Sequence, residues 1–180
     1  MNLISVGDDK EIPLKHFIDA LTPVPFIPHE TLKILDIGSG PGLPGIPMKI
    51  AVDDWHLSLL EASRKRISFL KETIRQLSLQ NIAVIHDRVE NLIIQGKYRQ
   101  TFAVVISRAT LKLPQLIEKA NYFLNQGGLL IAMKGAIPEN EWLESIHVSE
   151  NTGLLYKETH DLNLPFTNAP RKILIYKKLN

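Results

Sequence analysis

A glycine-rich turn directly after a short, mainly apolar segment constrains the fold of this chain more than any other feature. The segment is Lys33–Ile37 (KILDI), and Gly38, Gly40 and Gly42 follow it at alternate positions. Glycine has no Cβ, so the backbone there can turn sharply and approach a ligand closely. A buried strand that leads through such a turn into a helix is typical of an α/β sheet that binds its ligand beyond the carboxyl ends of the strands.

Predicted strands alternate with predicted helices along the rest of the chain. Apolar runs predict strands over 33–37, 56–60, 82–85, 102–106, 129–133, 153–159 and 172–177. Helices are predicted over 46–52, 63–77, 114–124 and 138–146, with Ser63 as an N-cap. This order predicts a doubly wound, Rossmann-like α/β fold, with a mostly parallel seven-stranded sheet and helices on both faces. We expect a single domain over 1–180, with an N-terminal lead-in (1–31) and a Rossmann-like core (32–180).

Composition narrows the class of protein. Of the 180 residues, 44% are hydrophobic and 22% are charged, which indicates a globular domain rather than a disordered chain. The chain has no cysteine, so disulfides and thiolate metal sites are excluded, and the spacing of its 6 histidines predicts no metal site. A signal-peptide pattern and an apolar run of about 18 residues are both absent from the sequence. We therefore expect a cytoplasmic monomer without a membrane segment.

Two cofactor classes use a glycine-rich turn of this kind. A dinucleotide site needs G-x-G-x-x-G, and Leu43 stands where the third glycine would be. Asp36, on the strand just before the turn, is not part of that pattern. D-x-G-x-G-x-G (36–42) resembles instead the first motif of the class I S-adenosylmethionine-dependent methyltransferases. The sequence therefore favours S-adenosylmethionine as the cofactor, held near Asp36, Gly38, Gly40, Gly42 and Leu43.

The ends of the second and third predicted strands add candidate cofactor residues. Glu61 ends the second strand, where a carboxylate can accept hydrogen bonds from both ribose hydroxyls in either cofactor class. Val89 and Glu90 follow the third strand, where an adenine would lie. We expect Val89 to pack on the ring and a neighbouring acid or backbone N–H to meet its polar edge.

Basic residues cluster although the net charge is only +2. Arg108 and Lys134 follow the fourth and fifth strands, and an arginine fork pairs well with a phosphate or a base edge. Other basic residues gather in one predicted helix and near the C-terminus: Arg64, Lys65, Arg66, Lys71, Arg75 and Arg171. Two interpretations remain open, namely ordinary solvated surfaces and a surface that contacts RNA phosphates.

Several segments together resemble one family. L-D-I-G-S-G-P-G-L-P-G-I-P (35–47) is similar to the first motif of the bacterial glucose-inhibited division protein B family, the small-subunit ribosomal RNA guanine-N7 methyltransferases. Other similar segments follow in the family's order: N-L-I (2–4), H-F-I-D (16–19), K-R-I-S-F-L (65–70), R-V-E (88–90), S-R-A (107–109), K-G (134–135) and Arg171. The resemblance covers nearly the whole chain, and we expect only the family's extra N-terminal helical segment to be missing.

This resemblance implies a reaction and its partners. The cofactor would be S-adenosylmethionine, the product a guanine methylated at N7, and the partner 16S rRNA or the small ribosomal subunit. The resemblance puts Gly38, Leu43, Val89, Glu90 and Arg108 at the methyl donor. We expect RNA contacts from Arg64, Lys65, Arg66, Lys134 and Arg171. Guanine N7 carries a lone pair and no proton, so we expect no general base, only positioning by Arg108 and Lys134 that brings the reacting atoms to about 3 Å.

Three alternatives stay open on sequence alone. One is a methyltransferase for a small metabolite, and another is a non-catalytic RNA-binding or assembly module with the same fold. A nicotinamide dehydrogenase is the third, and Asp36 and Leu43 disfavour it.

Overall fold

The structure, a computed structural model, describes residues 11–164 and 170–179, and side chains from residue 15 onward. The N-L-I segment (2–4) lies outside the described residues. The elements in chain order are α1 (Glu11–Leu21), a 3₁₀ turn (Val24–Phe26), β1 (Lys33–Ile37), α2 (Gly45–Ala51), β2 (His56–Glu61), α3 (Arg64–Gln76), β3 (Ile82–His86), α4 (Val89–Ile94), β4 (Phe102–Arg108), α5 (Leu113–Phe123), β5 (Leu124–Lys134), α6 (Glu139–Thr152), β6 (Leu154–Asn163) and β7 (Pro170–Lys178).

The seven strands form one sheet in the order β3-β2-β1-β4-β5-β7-β6. Strands β1 to β5 are parallel, and β7 runs antiparallel between β5 and β6. The strand order reverses between β1 and β4, which creates a crevice beyond their carboxyl ends. The predicted doubly wound, mostly parallel seven-stranded fold is therefore confirmed, and the glycine-rich turn opens into this crevice.

Two hydrophobic cores lie on opposite faces of the sheet and explain the continuous apolar strands. Ile34 belongs to the core under α2 and α3, whereas the next residue, Leu35, belongs to the core under α4, α5 and α6. Val104 and Val105 of β4 alternate in the same way. Because both faces are covered, both sets of side chains must be apolar. α1 packs against α2 on the first of these faces.

Helix α3 follows the predicted pattern at its start and departs from it at its end. Ser63 is the N-cap residue with an extended backbone, as predicted, but its side chain makes no capping hydrogen bond. Ile67 and Leu70 are buried and form the apolar side of the helix. Leu77 is 48% exposed because the helix ends at Gln76 and Leu77 is its C-cap.

Other boundaries differ from the prediction for local reasons. The strand predicted over 129–133 is longer, because β5 starts at Leu124, includes Gly127 and Gly128, and changes register against β4 between Phe102 and Val104. Helix α6 extends to Thr152 rather than ending at 146. Helix α4 was not predicted, because its six residues bury only Val89 and Leu92 and give too short a periodic signal.

Candidate active site

The glycine-rich turn is tied to the end of β2. The backbone N–H groups of Gly38 and Ser39 both donate to the carbonyl oxygen of Leu60, at 2.9 and 3.1 Å. The turn then closes on itself, since Leu43 N donates to the carbonyl oxygen of Ser39 at 2.9 Å. Ile46 N donates to the carbonyl oxygen of Gly42 at 2.7 Å and so leads the chain into α2. The turn therefore has one fixed shape beside the second strand.

Gly38 and Gly40 both have left-handed backbones, with φ of +73° and +57°. A Cβ on Gly38 would collide with the side chain of Thr110, which follows β4. A Cβ on Gly40 would meet nothing closer than the Gly38 carbonyl oxygen at 3.9 Å. Gly38 is thus restricted by both space and backbone conformation, and Gly40 by backbone conformation alone.

A cavity of about 440 Å³ opens beside this turn at the carboxyl ends of β1, β2 and β4. Its volume lies within the usual range for small-molecule sites. We call it the donor cavity, and it is lined by Ile37, Gly38, Leu60, Glu61, Ala62, Arg66, Asp87, Arg88, Val89, Glu90, Ala109, Thr110 and Leu111. It thus brings together four of the predicted cofactor residues, Gly38, Glu61, Val89 and Glu90.

Glu61 joins the turn, α3 and the donor cavity. Its Oε2 accepts a hydrogen bond from Gly40 N at 3.0 Å, and its Oε1 accepts one from Ser63 N at 2.8 Å. Arg66 Nη1 lies 3.5 Å from Oε2. The side chain is only 7% exposed, yet it lines the cavity. An ionised carboxylate has about four acceptor positions, so Glu61 keeps acceptor capacity for a ligand's hydroxyl groups while it holds the turn.

Asp36 lies beneath the turn and not at the surface of the donor cavity. It is fully buried, and its Oδ2 accepts a hydrogen bond from Gly45 N at 3.1 Å. Its Oδ1 is buried without a hydrogen-bond partner among the described residues. Asp36 therefore reaches a ligand only through the turn and the first residue of α2. A direct contact with the cofactor stays a prediction.

Gly45 is a residue that the sequence analysis missed. A Cβ there would overlap Leu59 of β2 and come within 2.9 Å of Asp36 Oδ2. This glycine lets the start of α2 approach the sheet, which is the role of the third glycine in dinucleotide sites. Its position two residues after Leu43 could have been noticed, because it is the next glycine in the motif.

The buried carboxyl group of Asp36 should make stability depend on pH. Burial raises its pKa from 3.8 to about 7, although the Gly45 hydrogen bond opposes this. Between about pH 4 and pH 7 the folded protein then binds more protons than the unfolded chain, so the free energy of unfolding falls as pH rises. Asp36→Asn should remove this loss, on the order of 2 kcal/mol between pH 5 and pH 8. Urea unfolding at both pH values measures it, and an equal effect of the substitution at the two would contradict it.

The other predicted cofactor residues differ in exposure. Val89 is 8% exposed and presents an apolar surface to the donor cavity. Glu90 is half-exposed, and Lys119 Nζ lies 3.1 Å from its Oε1. The backbone N–H of Glu90, and then Lys119, lower the pKa of its carboxyl group. Leu43 and Gly42 are buried and do not line the donor cavity. Gly42 packs against Ile46 of α2 instead.

A second cavity of about 350 Å³ adjoins the first, and we call it the acceptor cavity. Its lining residues are His16, Asp19, Arg108, Ala109, Met133, Lys134, Gly135 and Arg171. Ala109 lines both cavities. Arg108, predicted at the donor, lies in the acceptor cavity, because its guanidinium pairs with Asp19 at 3.3 Å. Its contact with the donor stays a prediction.

Lys134 is bound within the protein. Its Nζ donates to the carbonyl oxygen of Leu111 and lies 3.4 Å from Glu141 Oε1. The same Glu141 oxygen accepts a hydrogen bond from Leu113 N at 2.7 Å. The side chain is 12% exposed. Lys134 therefore joins the end of β5 to α5 and α6, and its predicted RNA contact is untested.

The basic residues of α3 are exposed: Arg64, Lys65, Arg66, Lys71 and Arg75. Arg66 lines the donor cavity. Arg75 makes two hydrogen bonds to Glu72, at 2.9 and 2.7 Å, and these bonds lower the pKa of Glu72 to about 2. The charge of Arg75 is thus offset by its neighbour, whereas Lys65 is presented to solvent at the start of the helix.

The described part of the chain holds neither a candidate metal site nor a candidate membrane span. Within 11–164 and 170–179, no three histidine or acidic side chains are grouped so that they could hold a metal ion. None of the described helices has the length and apolar character needed to cross a membrane.

Comparison with known proteins decides the family. Residues 1–172 match the family described as GidB, rRNA small subunit methyltransferase G. The chain belongs to the GidB family. Ribosomal RNA small subunit methyltransferase G of Syntrophus aciditrophicus is 42% identical over 179 residues, which are 99% of this chain and 74% of that protein. The protein of the same name from Acetivibrio thermocellus is 38% identical, over 99% and 73% of the two chains.

Solved structures share the fold of this GidB chain at low sequence identity. YcgJ of Bacillus subtilis superposes with a TM-score of 0.71 at 12% identity, covering 92% of this chain and 99% of that one. TYW2 of M. jannaschii, solved in complex with AdoMet, gives 0.69 at 15% identity, covering 97% and 77%. These structures share the Rossmann-like fold, and the family match identifies this GidB chain as an S-adenosylmethionine-dependent methyltransferase of the small-subunit rRNA family. The dehydrogenase alternative is wrong.

Proposed function

We propose that this chain transfers a methyl group from S-adenosylmethionine to N7 of a guanine in 16S rRNA. The observation that carries the proposal is the pair of adjoining cavities, because direct transfer of a methyl group needs a donor site and an acceptor site that meet at the reacting atoms. Ala109 lines both cavities. We propose further that 1–180 works as a single domain, as a monomer in the cytoplasm. Sedimentation of the purified protein tests the monomer.

On the donor side, S-adenosylmethionine supplies a methyl group bonded to a positively charged sulfur. The Glu61 carboxylate accepts hydrogen bonds from the ribose hydroxyls while it keeps its bonds to the turn. Val89 offers an apolar surface to the adenine ring. Gly38 lets the backbone approach the ligand without a side chain between them. Asp36 supports this arrangement from below through Gly45.

On the acceptor side, the chain's task is positioning. Guanine N7 attacks with a lone pair and loses no proton, so no side chain has to remove one. Orienting two bound reactants can account for about 7–11 kcal/mol of a reaction barrier. The base becomes positively charged as it is methylated, so a cation against N7 would oppose the step. We therefore assign Arg108 and Arg171 to the O6 edge of the guanine or to a phosphate of the RNA. We assign Lys134 to supporting the lining of the acceptor cavity.

Methyl transfer with purified components tests this proposal. The protein is incubated with labelled S-adenosylmethionine and, in separate reactions, with small ribosomal subunits, free 16S rRNA and a metabolite extract. Digested RNA should contain labelled 7-methylguanosine. Label in metabolites alone would indicate a small-molecule methyltransferase. Binding of the donor and RNA without transfer would indicate a non-catalytic assembly module.

The exposed cations of α3 should contact RNA phosphates. Lys65→Ala should reduce the slope of log affinity against log salt by about 0.7–0.9, because one fewer phosphate is neutralised. Donor affinity should stay unchanged. Arg75→Ala is the matched control, because Glu72 already offsets that charge and the slope should change less. Filter binding over a salt series measures the slope for both variants. Equal slopes for Lys65→Ala and the wild type would indicate that this part of α3 is an ordinary solvated surface and contacts no phosphate.

A further inference from the structure

We infer that Asp19 is a positioning residue that fixes two guanidinium groups at the acceptor cavity and offsets one of their charges. The inference rests on the proposed function, because it concerns the side of the acceptor cavity that the acceptor base would meet.

One buried carboxylate joins three distant parts of the chain. Asp19 lies on α1 and is 3% exposed. Its Oδ2 is 3.3 Å from Arg108 Nη1 at the end of β4, and its Oδ1 is 3.1 Å from Arg171 Nε at the start of β7. Each carboxylate oxygen thus serves a different arginine. The two guanidinium groups are held at a distance from each other that this one side chain determines.

The backbone around Asp19 is itself fixed. Its carbonyl oxygen accepts hydrogen bonds from Thr22 N at 3.2 Å and from Thr22 Oγ1 at 2.7 Å, which close the end of α1. The following residue, Ala20, is completely buried. The backbone that carries the carboxylate is therefore fixed, and the carboxylate can keep both arginine side chains in place.

The charges explain why a carboxylate is useful at this position. Two arginines and one aspartate give this group of three a net charge of +1 instead of +2, and Lys134, the other cation of the acceptor cavity, is paired with Glu141. Burial, and then Arg108, lower the pKa of His16, which disfavours a further positive charge beside the two arginines. A base that becomes cationic during the reaction is repelled less by this group, with its net charge of +1, than it would be by the two arginines alone. Both arginines remain a fifth to a quarter exposed and so accessible to RNA.

Asp19→Asn tests the inference because it keeps the shape and removes the charge. We expect kcat for methylation of small-subunit rRNA to fall by about tenfold or more, since misplaced reactants lose rate steeply. The dissociation constant of S-adenosylmethionine should stay within about twofold. The salt slope of RNA binding should become steeper by about 0.7–0.9, because one arginine is released to a phosphate. Asp19→Glu should restore part of kcat.

Asp161→Asn is the control, since it removes the same charge from an exposed pair with Lys172 on the outer strands. Its kcat should stay within about twofold of the wild type. A merely structural Asp19 would instead give a lower melting temperature, weaker donor binding and an unchanged kcat in the folded fraction. That result, or an unchanged salt slope, overturns the inference. If the wild type makes no 7-methylguanosine, the proposed function fails. The salt slope of RNA binding and the donor affinity of Asp19→Asn would still decide the role of Asp19.

Discussion

Gly38→Val is expected to abolish binding of S-adenosylmethionine, with a loss of more than about a hundredfold in affinity. The valine side chain would collide with Thr110 on the wall of the donor cavity and would require a left-handed backbone at a β-branched residue. Both effects act on the turn that faces the ligand. Titration calorimetry measures the binding, and thermal unfolding measures the accompanying loss of stability.

Gly96→Val is the matched control for this experiment. Gly96 has nearly the same φ, +70°, but a Cβ there meets nothing within 4 Å, and the residue does not line the donor cavity. It should lower stability through backbone strain and leave donor affinity unchanged. Gly40→Ala should lie between the two, because its restriction is conformational only, as at Gly96, but it lies in the turn and its N–H is bound to Glu61. If Gly38→Val binds the donor as tightly as Gly96→Val does, the glycine-rich turn is not part of the donor site.

Glu61→Ala should weaken donor binding about ten- to a hundredfold. Hydrogen bonds to a charged group contribute roughly 1.5–3 kcal/mol, and Glu61 is the buried carboxylate that faces the donor cavity. The substitution also releases Gly40 N and Ser63 N, which Glu61 holds at 3.0 and 2.8 Å. Glu61→Gln keeps the size but turns an amide N–H towards one of these donors, so it should also bind weakly.

Glu72→Ala provides the comparison, since Glu72 is also paired with an arginine but is exposed on α3. Its donor affinity should match the wild type. If calorimetry gives Glu61→Ala and Glu72→Ala the same dissociation constant, Glu61 does not hold the ribose and serves only to fix the turn.

The sheet could be predicted from the sequence because each central strand carries its own signal. Ile34 and Leu35 enter opposite cores, so a strand of this kind has to be mainly apolar on both faces. Gly38 and Glu61 could be predicted as site residues because strand ends in a parallel sheet meet at one edge. These features depend on a few consecutive residues, which a sequence displays directly.

Features that depend on distant contacts could not be predicted in the same way. Asp19 is 89 residues from Arg108 and 152 from Arg171, and no local pattern relates them. Likewise, the sequence suggested Lys134 as a cation for RNA, whereas its position is determined by Glu141 on the next helix. Asp36 was expected at the ligand because it precedes the turn, but the closeness of α2 buries it beneath Gly45.

The most direct test of the proposed methylation is mass-spectrometric nucleoside analysis of small-subunit rRNA from bacterial cells that have this protein and from cells that lack it. We expect that 7-methylguanosine is lost from this rRNA without the protein and returns when the wild-type chain, but not Gly38→Val, is supplied. An unchanged content of 7-methylguanosine in cells that lack the protein would contradict it.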